Sequence, residues 1–233
     1  MKYERDGLFC MRDVLSASEL HSLKTAASAR FYEVLRAHMV RQATCSQSGE
    51  RMLDRYAEVA KRDGGRCDSR HGFSEEPFSS LLRPGGGASR LAAALLRVFG
   101  EDAEVVAMGQ MVAMPMDGWV QLIGDDADAD DADDALADAP QEWHTDSHYE
   151  LLDDPSRAIG AAALPPGHAC TVFIPLCDLD ETNGPTQYIL GSHADESCAR
   201  LSEEARAARA TTILAPAGSA VAFDCALRTS TNA

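Results

Sequence analysis

The sequence predicts a mainly β fold, a sheet sandwich or barrel with α-helices packed outside it. Three observations predict it. Helical periodicity is confined to roughly the first hundred residues. From Glu104 onward the chain breaks into short apolar runs bounded by Gly, Pro, Asn and Asp. No regular strand-helix-strand alternation and no internal repeat is present, which argues against a doubly wound parallel sheet.

The elements follow in order. Ser16-Ala17-Ser18-Glu19 has capping-box spacing, and Leu20, Leu23, Ala27, Phe31 and Leu35 then recur on one helical face. The Gly-, Ser- and Arg-rich stretch KRDGGRCDSRHGF reads as loop. A second helix is predicted over Ser89–Phe99, with Leu91, Leu95 and Leu96 sharing a face and Gly100 as the stop. The runs EVVAMGQMVAM, GWVQLI, CTVFIPLCDL, TQYIL, TTIL and SAVAFD read as antiparallel strands, the last belonging to a late strand spanning Gly218–Thr229. One domain over 1–233 is expected, mostly helical over 1–103 and β-rich over 104–233.

The chain has 233 residues, enough for one domain with a full core, and a formal charge of −16. That sign disfavours nucleic acid and anionic membrane surfaces as partners. Eight aspartates between Asp125 and Asp138, interleaved with alanine, account for half of the excess. Such a run repels itself and reads as a solvated insert between strands; it lacks the glycine and terminal glutamate of an EF-hand loop. The opening MKYERDGLFC has charges where a signal peptide needs an apolar stretch, and the seven cysteines are scattered without a C-x-x-C pair. The expectation is a soluble, cytoplasmic protein with reduced thiols.

After the insert comes QEWHTDSH. On a helix, His144 and His148 share a face, but the glutamate of a helical zinc site is absent. On a strand, alternate residues are about 6.7 Å apart, so His144 and Asp146 can converge on one cation while His148, about 13 Å away, cannot readily join them. A third ligand must come from elsewhere. Imidazole plus carboxylate plus a distant imidazole is the facial arrangement that leaves three positions open on Fe(II). The bland alternative is an imidazole hydrogen-bonded to a neighbouring acid.

Further on the chain reads HACTVFIPLCDLDETNGPTQYILGSH, a strand, an acidic turn closed by Asn183-Gly184-Pro185, a second strand and Gly191-Ser192-His193. This block, with QEWHTD before it and the opening ERDGLFCMRDVLSASEL, resembles the phytanoyl-CoA dioxygenase family of Fe(II)- and 2-oxoglutarate-dependent oxygenases. The resemblance implies a double-stranded β-helix, a cupin-like jelly roll, with helices against one sheet. It implies Fe(II) bound by His144 and Asp146, the two positions it also marks as catalytic, and 2-oxoglutarate as cosubstrate. The implied reaction is oxidative decarboxylation of 2-oxoglutarate with dioxygen, coupled to hydroxylation of a small organic or acyl substrate. It places Phe173 and Gln110 against the cosubstrate, although an aromatic in an apolar strand is more often plain core. Trp143 and Tyr149 either line the substrate mouth or simply pack.

The sequence departs from the family at its end. The family's second iron-binding histidine falls at or next to Thr229, and its cosubstrate-binding arginine lies beyond that; neither is present here. Truncation of a longer enzyme, or a non-catalytic member acting as a binding or regulatory module, both explain this. A third reading is a cupin-like hydrolase or isomerase holding another divalent ion with His144, Asp146 and His193. In the family the G-S-H histidine closes a turn. His148 and His168 stand at similar odds against ligation, and His21, His38 and His71 receive no role.

Overall fold

The capping box at Ser16 forms as its spacing predicts. Ser16 Oγ accepts from the Glu19 amide (3.3 Å), and the Glu19 carboxylate accepts in return from the Ser16 amide (2.8 Å). This exchange starts the long helix α2 (Ala17–Ser48), which follows a short helix α1 (Lys2–Asp6) and a strand β1 (Leu8–Met11). Leu23, Ala27 and Phe31, four residues apart, are buried, as one apolar stripe requires. The structure, a computed structural model, describes residues 2–48, 59–62, 66–83, 85, 88–105, 108–113, 142–146 and 167–231. The acidic insert, the GWVQLI run, His148 and Tyr149 lie outside them.

Helix α3 (Ser89–Phe99) has the predicted bounds. Gly100 ends it at φ 88°, and its amide donates to the Leu96 carbonyl (2.9 Å). That left-handed conformation suits a residue without Cβ. The expected apolar face is only partly realised, since Leu91 is buried but Leu96 is 44% exposed.

The described residues divide into two compact units. The first, Met1–Leu20, Ser80–Val106 and Gln141–Asn232, carries two antiparallel three-stranded sheets. One has the order β1-β8-β5, with β5 at Cys170–Phe173 and β8 at Ala220–Asp224. The other has the order β7-β6-β9, with β6 at Thr186–Tyr188, β7 at Thr211–Thr212 and β9 at Thr229–Thr231. A short helix, α4 (Glu203–Arg209), precedes β7. The two sheets share one core: Phe223 of β8 meets Phe173 of β5 and Tyr188 of β6 edge-on, each at 5.1 Å, with Leu8, Val221 and Leu227 buried around them.

The expected single late strand is in fact two. Asp224 Oδ1 accepts from the Ala226 amide (2.9 Å) and the Asp224 carbonyl from the Leu227 amide (2.8 Å), turning the chain out of one sheet and into the other. Asp224 is 1% exposed and also accepts from the Tyr3 hydroxyl (3.3 Å) and the Gly167 amide (2.6 Å), so it pins α1 to this corner. The Asn183-Gly184-Pro185 turn is built in the same way. Asn183 Oδ1 accepts from the Asp180 amide (3.0 Å), its amide nitrogen donates to the Asp178 carbonyl (2.5 Å), and Gly184 takes φ 67°.

The second unit, built mainly from His21–Ser79 and Ala107–Pro140, holds a sheet β2-β3-β4 of Val59–Arg62, Arg66–Arg70 and Gly109–Ala113. This overturns the loop reading of KRDGGRCDSRHGF, in which 61–62 and 66–70 lie on paired antiparallel strands with Val59 opposite Ser69 and Arg62 opposite Arg66. The strands are polar on both faces, so they show no apolar alternation, and only the Asp63-Gly64-Gly65 turn signal marked them. Among the described residues no helix is long and apolar enough to cross a membrane.

Candidate functional site

His144 is held by the backbone of β9. Its amide donates to the Thr229 carbonyl (3.0 Å) and its carbonyl accepts from the Thr229 amide (2.8 Å), forming an isolated antiparallel bridge. Thr229 is paired on its other side with Tyr188, so the short segment around His144 extends the β7-β6-β9 sheet. Asp146, two residues on, is tied to the opposite sheet. The Thr171 hydroxyl on β5 donates to Asp146 Oδ2 (2.5 Å). The H-x-D pair therefore spans the two sheets of the sandwich, one residue anchored to each.

The local chemistry suits ligation. His144 Nδ1 lies 2.7 Å from the Glu142 carbonyl, which can only accept, so Nδ1 carries the proton and Nε2 is the unprotonated nitrogen, an acceptor or ligand. Nε2 lies 3.9 Å from Asp146 Oδ1, and the two side chains are 36% and 31% exposed, open to an incoming ion. The titratable groups that feel the Asp146 charge are held in their neutral forms. Burial pushes the Cys225 thiol up to about 11, with the Thr171 hydroxyl 3.6 Å away pulling the other way and Asp146 and Asp224 adding to the rise. Burial likewise holds the Tyr188 phenol far above its ordinary range, and Asp146 reinforces the shift.

The third expected position holds Thr229. Its hydroxyl lies 3.4 Å from His144 Nε2, so the residue that the sequence aligns with a second ligating histidine stands beside the first one. Among the described residues no group of three His, Cys, Asp or Glu side chains is placed to hold a metal. His193 is engaged elsewhere in the unit. Its Nε2 lies 3.3 Å from the Glu4 carbonyl and its Nδ1 is buried without a partner. Gly191, at φ 78°, donates to the Asp6 carbonyl, and Ser192 Oγ accepts from the Arg228 amide, so the G-S-H motif closes a turn against α1. The His144-Asp146-His193 centre gains no support from this. His168 is exposed and Trp143 half-buried.

Phe173 packs on Phe223 in the core described above. Gln110 lies on β4 in the second unit with both ends of its amide engaged. Oε1 faces His71 Nε2 (3.1 Å) and Nε2 donates to the Ala27 carbonyl (3.0 Å). His71, assigned no role from sequence, is buried, stacked on Phe78 at 3.8 Å, and 3.3 Å from Glu75 Oε2. Nothing in its polar surroundings signalled this. Thr171 was not singled out from the sequence; the signal for it was strand alternation, which places it on the same face as Phe173.

The pattern of the phytanoyl-CoA dioxygenase (PhyH) family matches residues 3–229. The chain belongs to the phytanoyl-CoA dioxygenase family. Solved structures agree on the fold of this family member, a cupin-like jelly roll. The apoform of EctD from S. alaskensis matches with TM-score 0.59 and 17% identity, over 99% of this chain and 69% of that one. SnoK, a non-heme alpha-ketoglutarate-dependent carbocyclase from nogalamycin biosynthesis, matches with TM-score 0.57 and 16% identity, over 99% and 75%. HygX from Streptomyces hygroscopicus, solved with nickel, 2-oxoglutarate and hygromycin B, matches with TM-score 0.54 and 13% identity, over 99% and 78%. No curated protein matches the sequence. Tested against the Fe(II) that this family implies, the phytanoyl-CoA dioxygenase-family site fits at two donors, His144 Nε2 and Asp146 Oδ1, and falls short at the third, where a neutral hydroxyl stands.

Proposed function

We propose that this chain is an Fe(II)/2-oxoglutarate oxygenase-like protein acting on a small organic or acyl substrate, with His144 and Asp146 as its iron ligands. The observation that carries the reading is the convergence of a tautomer-fixed imidazole and a carboxylate, 3.9 Å apart, each anchored to a different sheet. Iron and 2-oxoglutarate supply the oxidising chemistry in such centres, and the protein binds and orients them. Here the Glu142 carbonyl keeps the proton on Nδ1 of His144, and Thr171 holds Oδ2 of Asp146 by a hydrogen bond, leaving Oδ1 as the oxygen that would ligate. Phe173, on the same strand as Thr171, is the proposed cosubstrate neighbour in this unit.

The test is an anaerobic titration of the apo-protein with Fe(II) and then 2-oxoglutarate, followed by succinate release in air. The expected result is a visible charge-transfer band, lost in Asp146→Ala, and iron-dependent succinate. Absence of both band and iron binding overturns the assignment of these two ligands. A second reading is favoured by Thr229 in the third-ligand place: a non-catalytic member serving as a binding module. Its signature is a band without succinate, even when the iron is saturating.

A further inference from the structure

Three cis protein donors make a facial metal site, and the position facing His144 decides whether a third exists. Thr229 is the residue there. It is 3% exposed, and its backbone is fixed from both sides, by pairing with Tyr188 and by the two hydrogen bonds to His144. Its hydroxyl stands 3.4 Å from His144 Nε2, beside the atom that would ligate an ion shared with Asp146. Yet the group it presents is a neutral alcohol, a weak donor to a divalent cation at neutral pH. With Nδ1 of His144 protonated, the Thr229 hydroxyl also donates to Nε2 at 3.4 Å and so occupies the lone pair that a metal must use.

We propose that Thr229 occupies the third-ligand position without ligating, and that the centre takes a divalent cation through only two side chains. The position then belongs to an exchangeable small donor, water by default and a neutral nitrogen base such as imidazole when one is supplied. This rests on the reading of His144 and Asp146 as metal ligands and deepens it. Fewer protein donors mean weaker binding and a coordination sphere that free ligands can alter.

The experiment is an anaerobic titration of the full chain with Co(II), whose visible spectrum reports both occupancy and coordination, for the natural protein, Thr229→His, Thr229→Ala and His144→Ala. Thr229→His should tighten binding by about tenfold or more, the scale on which ligand-shell changes act, and change the spectrum. Imidazole should tighten binding in Thr229→Ala, where it has room, and do little in Thr229→His. If the natural protein binds as tightly as Thr229→His and imidazole changes nothing in Thr229→Ala, a third protein ligand already exists; the inference is overturned while the His144–Asp146 reading stands. If His144→Ala binds no worse than the natural protein, or no variant binds at all, both fail. Should Thr229→His not fold, the imidazole response of Thr229→Ala decides alone.

Discussion

At the scale of single residues, the two aspartates of the barrel corner have different work. Asp146 is half-exposed with one oxygen held by Thr171, whereas Asp224 is 1% exposed and accepts from Tyr3, Gly167 and Ala226. Asp224→Ala strands three donors, one of them the buried Tyr3 hydroxyl, and should cost about 3 kcal/mol in urea unfolding. Asp146→Ala breaks a single side-chain hydrogen bond, the one from Thr171, and should cost only about 1 kcal/mol while abolishing metal binding. Thr171→Val is the intermediate case. It removes the hydroxyl that orients Asp146 while keeping the packing volume, and should weaken metal affinity about tenfold, measured by the same Co(II) titration, with a stability cost near 1 kcal/mol. The sequence made His144 and Asp146 legible because a two-residue spacing on an extended segment brings side chains to one face. Thr229 was legible as a position and not as a neighbour, because sheet pairing between residues 85 apart leaves no local trace.

At the scale of elements, what could be read depended on whether a local chemical signal existed. The start of α2 was readable because Ser16 and Glu19 exchange hydrogen bonds within one turn, and the end of α3 because Gly100 alone tolerates φ 88° cheaply. Removing the first signal tests it: Ser16→Ala should cost about 1 kcal/mol, seen as a lowered urea midpoint. Strands β5, β6 and β8 were readable from apolar runs. β2 and β3 were not, because Arg, Lys, Asp and Ser on both faces erase the alternation that marks a half-buried strand. The late strand was read too long because Asp224 turns the chain by side-chain hydrogen bonds, which its apolar flanks Val221–Phe223 and Ala226–Leu227 conceal.

At the scale of the whole molecule, the first unit concentrates titratable groups that must stay neutral, and this fixes how stability responds to alkali. Burial lifts the Cys170 thiol from 9.0 to about 12, with Cys225 and Asp224 adding to it, and lifts Cys225 to about 11. Below pH 9 both thiols are protonated in the folded and unfolded chain, and their full contribution is present. Between pH 9 and about 11 the unfolded chain loses these protons while the folded one keeps them. The unfolded state then binds fewer protons, and stability falls as pH rises. The Tyr3 and Tyr188 phenols, also raised by burial from 10.0, extend the loss to higher pH. The urea midpoint should therefore be flat up to about pH 9 and decline above it, and Cys170→Ala with Cys225→Ala should flatten that decline through the removal of titrating groups. A midpoint that falls equally in the double variant would assign the alkaline sensitivity instead to Tyr3, Tyr188 and Cys198, which burial also keeps protonated in this unit.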